Sequence, residues 1–375
     1  MNASPRSTSP NRPRRRWPML ELHNDTRHAA GLYPGWDRQR RFQLTAVFKA
    51  AWRFDPEGNL EPLPETPPLV ECDEHHGKPH ETSLRAADET VPFKAGAEVY
   101  LFGTAHPARA GDGHTAVRLA IDFPGGKRFA KELYVFGRRH WRRRMLGHQP
   151  TPPEPLEPTP LVYEHAFGGR VPGRPGSEYP QNPVGLGYNP SDWKVVNAEL
   201  PRIEYPNRLV ARPAHKPVPA GFGPLPVFWQ PRADEIGEAV EDPEMHGGCP
   251  WPETAEPTLH NAAPPDQRFD ATFAGGETLR LSGFFPGRAP SRPVELVLPR
   301  PAIELYTHID GVTERLQLVL DTLIIDTDEM TLQLVGRAGI PWQRLDTRRG
   351  WVIVQAPAGA TASGSAPEEN LRSVS

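Results

Sequence analysis

The sequence predicts a mainly β protein: an antiparallel β-sandwich or open-barrel-like body with long irregular Pro/Gly-rich loops and few short helices. Three observations lead there. The 375 residues include 47 prolines and 33 glycines, and a proline inside a helix removes a backbone donor and clashes with the preceding turn. Short alternating apolar segments recur between Gly, Asp and Pro turns, which is the period-2 signature of half-buried strands. Strand–helix alternation is missing, which argues against doubly wound and TIM-type folds.

The elements follow in order. Residues 1–19 read as a disordered basic arm with Arg6, Arg12, Arg14, Arg15 and Arg16 and no acid. In Phe42–Phe54, Phe42, Leu44, Ala46, Phe48, Ala50 and Trp52 share one parity, so a strand lays that face on a core and Val47 meets a second layer. Asp55–Leu69 is a turn and an extended proline segment. Strands are expected at Glu98–Phe102, Ala116–Phe123 and Phe129–Phe136, the last two joined by a hairpin at Gly125 and Gly126. Arg-rich His140–Leu146 reads as a short helix. Prolines 150, 152, 153, 155, 158 and 160 form an extended bridge. Residues 161–265 are irregular, and their large aromatics argue for a packed segment. Strands return at Thr278–Leu281, Val294–Leu298, Ile303–Thr307, Arg315–Ile325, Met330–Val335 and Trp351–Val354, with a tight turn at Asp326–Glu329.

Residues 20–355 read as one β-rich domain, with residues 140–275 as an irregular second lobe or insertion. The alternative is two domains joined at the proline bridge. Residues 356–375 read as a disordered tail. A net charge of −3 shows no adaptation to a polyanion, so no nucleic-acid partner is expected. Two cysteines fit a reducing compartment. No apolar run is long enough to span a membrane, and no secretory leader is recognisable. The expected location is cytoplasmic.

The search for chemistry finds little. Zinc uses Cys and His ligands at short spacings, and Cys72 with His75 or His76 meets that spacing. A second half would have to come from His246 and Cys249. These five residues are the weak metal candidates; the rival reading is a polar loop and two ordinary cysteines. No catalytic residue, cofactor or firm metal site is assigned. There is no nucleophile elbow and no phosphate loop. Glu164 and His165 are neighbours, and on a strand they would face opposite ways. Asp321, Asp326, Asp328 and Glu329 lack calcium-loop spacing.

Specific strings carry more. They are ELHNDTRHAAGLYPGWDRQRRFQLTAVFKAAWRF (21–54), VECDEHHGKP with Asp73, YEHAFGG (163–169), YPQNPVGLGY (179–188), LPRIEYPN (200–207), GFGPLPVFWQPR (221–232), HNAAPPDQRF (260–269), LSGFFP (281–286) and LVLDTLIIDTDEMTLQLVGR (318–337). Together they resemble the domain of unknown function 2169 (DUF2169) family, proteins encoded beside components and effectors of bacterial type VI secretion systems. The resemblance spans roughly residues 20–355. The chain departs from it near Asp37, where a D-x-x-G glycine is replaced by DRQRRF, and at Gly336 and Arg337, which stand for a W-R pair.

The resemblance implies a non-enzymatic adaptor or chaperone. It would bind a type VI effector, of PAAR-type or otherwise spike-associated, and help load it on the VgrG spike. Trp141, Trp193, Phe222, Phe228, Trp229, Trp251 and Asp266 are the candidate partner contacts, since aromatics dominate interface anchors. Asp266 is also expected to accept backbone N–H bonds of its own turn. The alternative function is a metal-assisted hydrolase or carbohydrate-active enzyme with a His/Cys/Asp site.

Overall fold

The computed structural model describes residues 19–145, 147–171, 176–189, 195–238, 248–344 and 346–357. Most of the expected arm and tail, Trp193 and His246 lie outside the described residues. Three sheets enclose one apolar core. The largest runs in the order Arg268–Phe269, Ala97–Phe102, Val319–Asp326, Thr331–Pro341, Phe42–Phe54 and Ala29–Trp36, with Leu60–Pro62 paired to Phe42–Phe54. All its pairings are antiparallel except Ala97–Phe102 with Val319–Asp326. The second is antiparallel throughout: Ile203–Glu204, Arg128–Phe136, His114–Asp122, Thr278–Ser282 and Val294–Val297. The third joins Met19–Asn24, Arg349–Gln355, Glu304–Ile309 and Val312–Leu316. It pairs the first and last described strands in parallel.

Alternation explains how the layers meet. Leu44, Ala46, Phe48, Ala50, Trp52 and Phe54 face the core, as do Val117, Leu119 and Ile121 from the second sheet and Leu20, Val352 and Val354 from the third. This is the β-rich, sandwich-like body the pattern predicted. The opposite face of Phe42–Phe54 is buried too, which is why Thr45, Val47, Lys49 and Ala51 are inaccessible. A strand covered on both faces reads as a nearly unbroken apolar run.

What covers that outer face is polar. Lys49 Nζ donates to Glu89 Oε2 at 2.7 Å and to Pro68 O at 2.7 Å, and Val70 N donates to Glu89 Oε2 at 2.9 Å. Arg337 pairs with Asp321 and donates to Val91 O at 2.8 Å and Glu89 O at 2.7 Å. Glu98 pairs with Lys94 and accepts from the Tyr100 hydroxyl, from Asn261 Nδ2 at 3.2 Å and from Ala263 N at 3.0 Å. Charge pairs this deep hold only when their remaining lone pairs and protons are also bonded. Here those bonds tie residues 68–94 and 261–263 onto the sheet.

The structure corrects several local expectations. The expected short helix at His140–Leu146 is replaced, in its described residues, by a hairpin in which Trp141–Arg144 pairs with Gly147–Pro150. Gly147, at φ +100°, supplies the left-handed turn, and Trp141 goes into an apolar cluster while the arginines stay out. Arg315–Ile325 is not one strand. It breaks at Gln317–Leu318, and its halves belong to different sheets. Ala29–Trp36 was hidden by Gly31, Pro34 and Gly35; as an edge strand it tolerates proline, because no ladder bond is lost there. Asp321 stands apart from Asp326, Asp328 and Glu329, buried against Arg337. Asp326 does make the turn, accepting from Asp328 N at 3.0 Å and Glu329 N at 2.9 Å. The described α-helix, Arg232–Ile236, has five residues. No helix among the described residues is long and apolar enough to cross a membrane.

Candidate functional site

The irregular middle of the chain is assembled by its own buried polar groups. Asn182 Nδ2 donates to Tyr163 O at 2.8 Å and Phe167 O at 3.1 Å, so NPVGLGY grips YEHAFGG. The approach is tight: a Cβ on Gly185 would lie 2.4 Å from Asn182 Nδ2 and 2.5 Å from Ala166 O. The Tyr163 hydroxyl donates to Gly223 O at 3.2 Å, and its ring packs edge-on against Trp229 at 5.7 Å. Buried Arg232 donates to Leu225 O at 2.6 Å and lies 3.7 Å from Asp73. Gln267 Nε2 donates to Val99 O at 2.7 Å and Phe222 O at 2.8 Å, which fixes HNAAPPDQ and GFGPLP to the edge of the large sheet. Glu164 and His165 lie in a short 3-10 helix, Tyr163–His165, rather than in a strand, and Glu164 accepts from Ser83 N and Oγ, both at 2.7 Å.

These blocks converge on one cleft of about 490 Å³. Its walls are Tyr163, Tyr205, Val218, Pro219, Leu225, Pro231, Pro264 and Pro265, and its polar groups are Gln181, Asn207, Arg208, Gln230 and Asp266. A mostly apolar concavity with a few convergent polar groups is the usual form of a binding site. Asp266 does not cap backbone amides as expected. Its carboxylate accepts from Lys131 Nζ at 2.9 Å and from the Tyr205 hydroxyl at 2.8 Å. Lys131 also donates to Gln267 Oε1 at 2.7 Å and lies over the rings of Tyr205 and Phe222 at 5.3 and 5.4 Å. With its side chain 45 % exposed, Asp266 retains acceptor capacity toward the cleft.

Burial lowers Lys131 to about 8, and the Asp266 carboxylate opposes that shift. Burial first, then Asp266, pushes the Tyr205 hydroxyl well above its ordinary value, so it stays a neutral donor. A consequence is measurable. Lysine titrates at about 10.4 when unfolded, so between the two values the unfolded chain binds more protons and stability from this group rises with pH. Urea midpoints measured across that window should show the rise in the wild type and lack it in Lys131→Met. Identical pH profiles would contradict the lowered Lys131.

The sequence-selected residues scatter. Trp141, Phe222, Trp229 and Trp251 are buried. Trp229 and Phe222 stand behind the cleft through Tyr163 and Lys131, whereas Trp141 and Trp251 belong to other clusters. Phe228 is 42 % exposed. It lies near His75 and His80, with ring centroids at 6.1 and 5.2 Å, beside a second cavity of about 570 Å³ that shares Gln230 with the first. Cys72 is exposed and Cys249 is buried with Trp251 and Leu259. His75 Nδ1 is 2.8 Å from Thr82 O. No group of three or more His, Cys, Asp or Glu side chains that could hold a metal forms among the described residues.

Sequence reasoning missed Lys131, Tyr163, Tyr205 and Gln267 as site residues. Lys131 did leave a signal, as it shares the parity of Leu133 and Val135, which face the core, and an inward lysine needs a partner.

A family described as uncharacterized protein conserved in bacteria (DUF2169) matches residues 39–337, which include every residue of the cleft wall. No curated protein and no solved structure matches the chain.

Proposed function

We propose that this chain, which belongs to the DUF2169 family, is a non-enzymatic adaptor for type VI secretion. It holds an effector of PAAR-type or otherwise spike-associated and assists its loading on the VgrG spike. A segment of that partner seats in the cleft of Tyr163, Tyr205 and Asp266. The observation that carries this reading is convergence. Blocks separated by up to about a hundred residues, the ones that carry the family resemblance, meet around one concavity. Its chemistry suits a peptide: proline and tyrosine walls stack on extended chain, and the rim amides, Arg208 and Asp266 bond to backbone and polar side chains. Exposed Phe228 lines a second cavity that shares Gln230 with the cleft, and aromatic side chains are frequent interface anchors.

The test is co-purification with the product of the neighbouring effector gene. The wild type should retain the effector. Val218→Arg places a long cation in the cleft from a position already 45 % exposed. It should melt like the wild type, because surface substitutions usually cost less than about 0.5 kcal/mol, and should bind at least about tenfold more weakly. Failure of the wild type to hold the effector overturns the adaptor role. Undiminished binding by Val218→Arg overturns the placement in the cleft.

A further inference from the structure

A second surface has a different chemistry. Two arginine-rich segments distant in sequence, DRQRR at 37–41 and Arg344–Arg349, meet around a cavity of about 650 Å³. Its floor is Phe42, Pro341 and Trp342, and Arg41, Arg344 and Arg348 stand around it. Two of these guanidinium groups are already oriented. Arg41 Nε donates to Asp37 Oδ2 at 2.7 Å. Arg348 donates to both Asp346 oxygens and stacks over the Trp342 ring at 4.7 Å. Each guanidinium has five N–H donors, so these bonds hold its plane and leave donors for a further acceptor.

Met19 pairs in register with Arg349, next to the cavity-lining Arg348, and the sequence before Met19 carries five arginines and no acid. Trp351 shares a strand face with Arg349 by the period of two, is 40 % exposed and stacks on His308 at 4.7 Å. Arginine and tryptophan are the residue types most enriched at interface hot spots.

We propose that this arginine pole docks an acidic segment of a partner protein. Charge complementarity identifies the occupant: planar guanidinium forks match carboxylates in a bidentate manner, as Arg348 already does with both oxygens of Asp346, and Arg41 pairs with Asp37 through one oxygen. The surface suits a nucleic acid less well. A phosphate backbone follows a continuous positive track, but Asp37, Glu253, Asp310 and Asp346 lie among or beside these arginines and interrupt it. The proposal does not depend on the role of the Asp266 cleft.

Fluorescence anisotropy of a labelled oligo-glutamate peptide tests it on the full chain at low ionic strength. Oligo-thymidylate and phosphatidylglycerol vesicles serve as rival polyanions. The wild type should bind oligo-glutamate in preference to both. Arg344→Glu with Arg348→Glu should weaken binding about tenfold, and removal of residues 1–18 about threefold. Arg142→Glu with Arg143→Glu, on the exposed hairpin, should change nothing. If charge reversal disturbs melting, Arg344→Gln with Arg348→Gln gives the same readout, expected to be about threefold weaker. No binding by the wild type, stronger binding of either rival, an equal loss in the hairpin variant, or wild-type affinity in a well-folded pole variant would each overturn the proposal.

Discussion

Glu98→Ala should lower the stability of the protein by about 3–5 kcal/mol, because it leaves a buried cation without its counter-charge. Glu98 is fully buried and accepts from four donors: Lys94, the Tyr100 hydroxyl, Asn261 Nδ2 and Ala263 N. Alanine removes the acceptor and the pairing together. The Lys94 ammonium is already lowered by burial with its partner in place, and without Glu98 it must shed its proton or draw in water. Two of the lost bonds hold Asn261 and Ala263, just ahead of the Pro264–Asp266 wall of the cleft. Partner binding should therefore fall along with the melting temperature. Glu98→Gln, which keeps an acceptor of similar size, should cost less. Denaturant unfolding of the three proteins decides the matter, and equal midpoints would show that the buried pair contributes nothing.

Glu89→Leu should have an effect of similar size, about 3–5 kcal/mol, through the same uncompensated charge, here Lys49. The second substitution separates causes. Lys49→Met added to Glu89→Leu removes both charges, and replacing a whole buried pair by apolar groups is often neutral. The double variant should recover most of the loss. It should keep a residual deficit of about 1–3 kcal/mol, because Val70 N would still lack its acceptor. A double variant as unstable as Glu89→Leu would mean that the carboxylate acts through its bond to Val70 N, not through its charge.

These pairs show why the sequence could be read only so far. Strand Phe42–Phe54 was legible to its ends because its core face alternates without interruption. The hairpin at Gly125 and Gly126 was legible because both glycines sit at φ near +90°, where other residues are strained. No local signal marks Lys49, Glu89, Glu98 and Arg337 as buried, since the segments that cover the outer face of the sheet lie elsewhere in the chain. The Trp141 hairpin was mistaken for a helix because arginine favours helix and the turn rests on one glycine. For the cleft, the strings were visible but their convergence was not. Asn182, Gln267 and Glu98 bring the blocks together through contacts that span up to 168 residues, and no periodicity encodes such contacts. Asp266 was expected to bond the amides of its own turn, but it bonds Lys131, 135 residues away.

The central claim is that the partner seats in the cleft built by these blocks. Hydrogen–deuterium exchange of the free protein and of its complex with the effector tests this most directly, since bound amides open and exchange more slowly. Added protection is expected in residues 203–208, 218–231 and 263–267, with the sheet core unchanged. Protection confined to other surfaces, with these three segments exchanging as in the free protein, would contradict it.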